Sequence, residues 1–439
     1  MIDLKPYVTA IAHADPFLAY GRVSEITGII IKASGIRAGV GESCYIYSDK
    51  GGIDAEVVGF KDGQLLLMAV GELSGVRPGS RVLSTGRRIT VPVSDRLIGR
   101  VINDRGEPID EKGPVPGTEY PLFSATPHPL KRRRITEPMD LGIRAINGLM
   151  TAGRGQRIGI MAGSGVGKSV LLGMMARYTV ASVTVIALIG ERGREVREFI
   201  EKDLGSEGLG KSVVIVSTSE QPALAKVRGA FAATAIAEYF RDRGENVLLL
   251  MDSLTRVAMA QREIGLAIGE PPTAKGYTPS VFALLPRLLE RVGTSEGRGS
   301  ITGIYTILVE GDDLSDPVAD AARSVLDGHI VLSRDLAMEG HYPSIDVLRS
   351  ISRVMPDIVE ERHRESAAKF VETLAAYKKY EDMIHLGAYK EGANQKVDYA
   401  IKMIDRMRSY LRQGMNERCD FTSGKTALYD LFESGGTNT

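Results

Sequence analysis

Eight residues constrain this chain more than any others. The segment Ala162-Gly-Ser-Gly-Val-Gly-Lys-Ser169 follows the apolar run Arg157-Ile-Gly-Ile-Met161 and precedes Val170-Leu-Leu-Gly-Met-Met-Ala-Arg177, which reads as a helix. Strand, glycine-rich turn and helix in that order make a phosphate-binding loop, because glycines let the backbone curl until successive N–H groups point at phosphate oxygens. Gly163, Ser164, Gly165, Val166 and Gly167 are expected to form the cradle, with Val170 opening the helix behind it. Lys168 is expected to meet the β and γ phosphates and the Ser169 hydroxyl to ligate Mg²⁺. Ala162 takes the first motif position in place of glycine, which matters little because the tight contacts fall at Gly163 to Gly167. ATP and Mg²⁺ are the expected ligands.

Such a loop belongs at the carboxyl edge of a parallel sheet, and the sequence around it supplies one. Val183-Thr-Val-Ile-Ala-Leu-Ile189, Ser212-Val-Val-Ile-Val216 and Val247-Leu-Leu-Leu-Met251 read as buried strands, and Thr302-Gly-Ile-Tyr-Thr-Ile-Leu-Val309 as a fifth. Longer helical stretches separate them, the pattern of an α/β core. Before the core, short runs such as Gly28–Lys32, Cys44–Tyr47, Ala55–Gly59 and Gln64–Met68 alternate with turns such as Lys61-Asp-Gly63, predicting a small β-barrel. After Pro356 the strands stop. Phe370, Leu374, Tyr377 and Ile384, then Val397, Ile401, Ile404 and Leu411, recur near helical spacing and predict a helical C-terminal domain. The expected division is a β-barrel over 1–92, a P-loop (RecA-like) parallel-sheet ATPase core over 93–356 and a helical domain over 357–439. Residues 95–120 read as a structured connection and Lys131-Arg-Arg-Arg134 as a solvated linker face.

Composition narrows the partners. Lys plus Arg and Asp plus Glu each total 55, so the chain has no net basic field with which to hold a nucleic acid. No metal-ligand spacing or disulfide framework involves Cys44 and Cys419, and no apolar run is long enough to span a bilayer. The first residues carry no basic stretch ahead of an apolar one, so no secretion leader is expected. A reducing cytoplasm fits, with any membrane contact peripheral.

Two carboxylates complete a hydrolytic site. Asp252 ends a fully apolar strand some way downstream of the loop, where a carboxylate holds Mg²⁺ largely through water. Glu191, in Gly190-Glu-Arg-Gly-Arg-Glu-Val196, follows a neighbouring strand and is expected to orient the attacking water; Glu195 is its competitor, read as a surface residue of the next helix.

The motifs Gly99-Arg-Val-Ile-Asn103, Gly155-Gln-Arg-Ile-Gly159, Gly190-Glu-Arg192, Gly269-Glu-Pro-Pro-Thr-Ala-Lys-Gly-Tyr-Thr-Pro-Ser280, Tyr342-Pro-Ser-Ile-Asp346 and Ser350-Ile-Ser-Arg353, with the loop, resemble the catalytic subunits of rotary ATP synthases over nearly the whole chain. Val309-Glu-Gly-Asp-Asp313, Asp327–Arg334 and Tyr410–Met415 are more similar to the ATPases of type III protein export, above all the flagellar ones. The resemblance implies that Glu191 activates water, Arg353 is an arginine finger crossing a subunit boundary, Tyr342 stacks on adenine, and Arg192 and Arg256 face the γ phosphate. One chain carries both the loop and the finger, so identical subunits complete each other in a closed ring, which the family makes a hexamer. The implied partners are a regulator bound near Met1 to Tyr20, where Val8, Ile11 and Phe17 lie, a central stalk protein, export-gate membrane proteins, and cargo with its chaperones. Residues 261–278 are expected to face the pore with a tip at Gly276-Tyr277. A virulence injectisome ATPase, an ATP synthase catalytic subunit and an RNA-translocating motor are the alternatives. The ATP synthase reading is disfavoured by the absence of an acidic contact segment in the C-terminal helices, and the RNA motor by a barrel without interleaved basic and aromatic residues. A non-catalytic ring subunit is opposed by Glu191.

Overall fold

The structure, a computed structural model, describes residues 20–49, 51–71, 73–309 and 316–433. These form two compact units: the described part of Met1–Ile89 together with Ile264–Glu270, and the described part of Thr90–Glu263 with Pro271–Thr439.

In the first unit, β1 (Tyr20–Thr27), β2 (Ile30–Ser34), β3 (Glu42–Ser48), β4 (Gly51–Lys61), β5 (Gln64–Ala69) and β6 (Arg81–Arg88) close into an antiparallel barrel in the order β1-β2-β5-β4-β3-β6. Alternate side chains point inward, so Ile31 and Ala33 of β2 meet Cys44 and Ile46 of β3, Leu65 and Leu67 of β5 and Val82 of β6 in one core. The β4–β5 turn shows why the register holds. Asp62 (φ 50°) and Gly63 (φ 75°) both take positive φ in a two-residue loop, the conformation that matches strand twist and that Asp-Gly adopts readily.

The second unit is built on one nine-stranded sheet. β7 (Thr90–Val93) pairs with β9 (Thr118–Pro121) in a separate ribbon, while β8 (Arg100–Ile102) joins the main sheet beside β12. The remaining strands are β10 (Arg157–Ala162), β11 (Val183–Ile189), β12 (Ser212–Ser217), β13 (Asn246–Asp252), β14 (Gly293–Thr294), β15 (Ser300–Leu308), β16 (Gly328–Leu332) and β17 (Ile345–Ser352). Their order is β17-β16-β10-β15-β13-β11-β12-β8, with β14 antiparallel on β15. β8 through β16 run parallel along this path, and β17 returns antiparallel to β16. All five strands expected from the apolar runs are present. The segment expected as a connection contributes β8 and most of β9, runs of three and four residues too short to carry a period.

The C-terminal helices Glu361–His385, Gln395–Leu411 and Phe421–Glu433 are not a separate body. Phe370, Met403, Met407, Tyr410 and Leu428 belong to the same buried cluster as Leu141, Ile143 and Ile146 and the strand residues Ile158 and Ile160. Asn394 starts the middle helix, its side chain accepting from the N–H groups of Lys396 and Val397.

Two surface expectations gain detail in three dimensions. Lys131, Arg133 and Arg134 of the basic cluster are exposed, as a solvated face requires, but the cluster also straps onto the loop after Leu289. Arg132 donates to the Val292 carbonyl at 2.9 Å, Arg133 to that of Arg298 at 2.5 Å, and Lys131 meets Glu296 at 3.2 Å. Tyr277 is not a tip: it is buried beside Phe282, with Arg262 over its ring, because an aromatic ring in a glycine-rich loop gains more by packing than by exposure. Val8, Ile11 and Phe17 lie outside the described residues, as does most of the Val309–Asp313 motif.

Candidate active site

Parallel strands deliver their carboxyl ends to one edge, and the sheet order sets which ends are neighbours. The loop follows β10; Thr306 lies near the end of β15, Asp252 ends β13, and Glu191 follows β11. Gly167, with φ 86° and ψ 18°, caps the helix Lys168–Tyr178 in the left-handed region, a conformation that glycine takes without penalty. The turn therefore closes and the first helical residue is Lys168.

Lys168 ties the edge together. Its Nζ stands 2.6 Å from Asp252 Oδ1 and 3.6 Å from Glu191 Oε1, and the Thr306 hydroxyl donates to the same Asp252 oxygen at 2.7 Å. Burial works against the lysine's charge, but the two carboxylates outweigh it and raise its pKa. Glu191 moves the other way from an ordinary carboxylate. Its burial, opposed by Lys168 and reinforced by Asp252 and a hydrogen bond with Glu195, pushes its pKa up to about 7. That hydrogen bond lowers Glu195 in turn, so of the two carboxyls Glu191 is the one that keeps a proton.

Lys168, Glu191 and Glu195 border a cleft of about 510 Å³, with Asp252 behind Lys168. Gly163, Ser164, Gly165, Gly167, Lys168, Ser169 and Val170 line one side, and Glu191, Arg192, Glu195 and Arg256 the other. Ala162 and Val166 are buried behind the loop. Arg256 has a buried Nε with no hydrogen-bond partner, an orphaned donor in a cleft that also presents Lys168 and Arg192. A polyphosphate oxygen would satisfy it. Arg192 is largely exposed and reaches Glu195 at 3.5 Å. Ser169 and Asp252 are hard oxygen donors, the kind that Mg²⁺ takes.

The structure brings Lys168, Ser169, Glu191, Arg192, Asp252 and Arg256 together and leaves two other residues apart. Tyr342 is exposed, its ring 3.3 Å from where a Cβ on Gly167 would stand, beside the loop but outside the cleft lining. Its neighbour Ser344 donates to the Val166 carbonyl at 2.6 Å, fastening this segment to the loop. Arg353 follows the antiparallel β17 back to the opposite edge of the sheet. Ser352 pairs with Gly328, and His329 with Gly159, so Arg353 stands level with Arg157. The loop begins five residues further along β10, roughly 16 Å away at about 3.3 Å per residue. An arginine side chain does not bridge that gap.

Sequence reasoning missed Ser219 and Thr306 and misread Glu195, which lines the cleft. Ser219 borders the cleft and its N–H donates to the Glu191 carbonyl at 3.0 Å. It follows β12, so the rule that ligands sit beyond strand carboxyl ends was the available signal. Thr306 carried none, since one hydroxyl within an apolar strand reads as filler.

Comparison with known proteins agrees with this architecture. The model of the ATP synthase alpha/beta family, nucleotide-binding domain, matches residues 142–352, and that family's beta-barrel domain matches 23–86. The model of the T3SS EscN ATPase C-terminal domain matches 359–430. A flagellum-specific ATP synthase of Bacillus subtilis is 53% identical over 434 residues, covering 97% of this chain and 98% of the relative. This chain belongs to the flagellar and type III secretion ATPase family. Within the family, the assembled ATPase EscN of the enteropathogenic E. coli type III secretion system superposes with a TM-score of 0.89 at 44% identity, over 94% of this chain and 99% of that one. The structure of assembled EscN in complex with its central stalk EscO gives 0.86 at 43%, over the same shares. The ATPase has no helix among its described residues long and apolar enough to cross a membrane.

Proposed function

We propose that this ATPase hydrolyses ATP to ADP and phosphate and uses the energy for type III export of flagellar proteins, releasing cargo from chaperones and unfolding it at the export gate. The two carboxylates, Asp252 at 2.6 Å and Glu191 at 3.6 Å from the Lys168 amine, beside a cleft of about 510 Å³, carry the enzymatic reading. The full-length likeness to a flagellum-specific relative supports the physiology.

The loop N–H groups and Lys168 bind the β and γ phosphates, and Lys168 exchanges its carboxylate partners for them. Ser169 and Asp252 are the residues that would hold Mg²⁺, which would neutralise phosphate charge when bound. Glu191 orients water in line with the γ phosphate and takes its proton. Arg256 and Arg192 contact the γ phosphate, and Tyr342 stacks on adenine. The position of Arg353 at the far edge of its own sheet supports a finger that serves the neighbouring subunit, worth about 10³ to 10⁵ in rate.

The working form is then a homohexameric ring around a central stalk, a reading that the EscN–EscO complex supports. It sits in the cytoplasm, peripherally at the membrane export apparatus, with a regulator at its N-terminus. A functional division at 1–92, 93–356 and 357–439 fits the segments matched by the three family models.

Replacing the chromosomal copy by Lys168→Ala and profiling secreted proteins tests this. Loss of filament proteins from the medium with ATP synthesis intact is expected. Normal filaments with missing effector proteins would move the chain to an injectisome, and intact export of both kinds would sink the export reading.

A further inference from the structure

Arg353 stands on an anchored foot, and the anchor belongs to the strand that carries the phosphate loop. The Arg353 N–H donates to the Asp327 carbonyl at 3.0 Å, and its guanidinium reaches the Leu326 carbonyl at 3.4 Å. The Asp327 carbonyl also accepts from Gln156 Nε2 at 2.9 Å. The Asp327 carboxylate accepts three bonds from Arg157: from the backbone N–H at 3.1 Å, from Nε at 3.1 Å and from a terminal nitrogen at 3.3 Å. Gln156, fully buried, reaches Ser352 Oγ at 3.1 Å, and that hydroxyl donates to the Thr151 carbonyl at 2.8 Å. There is little slack here. A Cβ added to Gly328 would meet the Ile351 carbonyl at 2.5 Å.

None of these groups touches the cleft of its own subunit, since Arg157 lies at the amino end of β10 and the loop follows its carboxyl end. A pair with no catalytic contact and this much directional bonding fixes a position. Bidentate arginine–carboxylate pairing adds geometric specificity that a single ion contact lacks, and displacing a catalytic group by about 1 Å costs about 10²-fold in rate.

We propose that Arg157 and Asp327 are positioning residues for hydrolysis: the pair holds the foot of Arg353 so that its guanidinium enters the neighbouring subunit's site. This rests on the reading of Arg353 as a finger acting between subunits. Both ends of β10 then serve catalysis, one in its own site and one in the next.

Steady-state hydrolysis by assembled rings of the full chain tests it. Asp327→Asn keeps the carbonyl and removes the charged bidentate pairing. The expected result is a kcat lower by about 10- to 100-fold, a KM for ATP within about twofold, and unchanged ring assembly by sedimentation. In an Arg353→Ala background the same substitution should have no further effect. Arg157→Lys, which keeps the charge and loses the fork, should reproduce the kcat loss and guards against a folding defect in the first variant. Wild-type kcat in both variants, or a loss that multiplies with that of Arg353→Ala, overturns the proposal. If Arg353→Ala alone leaves kcat unchanged, the finger reading fails and takes the anchor with it, an outcome distinct from the first two.

Discussion

In the proposed role of orienting and deprotonating water Glu191 acts ionised, yet its surroundings favour the proton. With a pKa about 7, kcat/KM should fall roughly tenfold per pH unit below that value, and Glu191→Gln should flatten the profile while lowering kcat by about 10² to 10⁴ and sparing ATP binding. A pH–rate profile of both proteins checks this. The same shift has a stability consequence. Because the folded pKa lies above the ordinary 4.5, the folded state keeps a proton between about pH 4.5 and 7 that the unfolded chain releases, so stability falls as pH rises through that window. Glu191→Gln should therefore raise Tm at pH 8 and leave it nearly unchanged at pH 4, as read by thermal scans. At this scale the placement of the candidate residues was largely legible. Lys168, Ser169 and Asp252 announced themselves because each stands at a fixed offset from a strand end. Glu195 did not, because its helix turns it toward the cleft by an angle that spacing alone leaves open.

Elements place these side chains, and one short turn shows how tightly. Gly190 has φ 73°, and a Cβ there would meet Arg256 Cβ at 2.8 Å. Gly190→Ala must strain the turn that carries Glu191 and push Arg256 aside. It should destabilise the chain by about 1–3 kcal/mol and reduce kcat as well, measurable by denaturant titration and steady-state kinetics. The strands carrying Asp252, the loop and the turn before Glu191 were readable because long apolar runs leave few alternatives to a buried parallel strand. β8, β16 and β17 are among the strands that were not read. β8 has three residues, and β17 is an edge strand with burial on alternating positions interrupted by Arg349 and Ser350. The shared core of the C-terminal helices was equally hidden, since periodicity reports that Phe370 and Tyr410 face inward without naming what they face.

For the whole molecule, the sheet sets the phosphate loop and Arg353 at opposite ends of its strands. If each ring interface joins the loop of one subunit to Arg353 of the next, Lys168→Ala and Arg353→Ala rings are each silent alone but complement when mixed. In a random equal mixture about one interface in four pairs an intact loop with an intact finger, so roughly a quarter of wild-type hydrolysis should return. Rings that stay silent after subunit exchange, verified by mass, would show that both residues act within one chain.

β10 also gives each subunit a polarity. The loop follows its carboxyl end, and Arg157 at its amino end pairs with Asp327 beneath Arg353, the residue proposed to serve the next subunit. If identical subunits join head to tail, every interface repeats that one direction, and the ring they close has a sense of rotation set by the single chain.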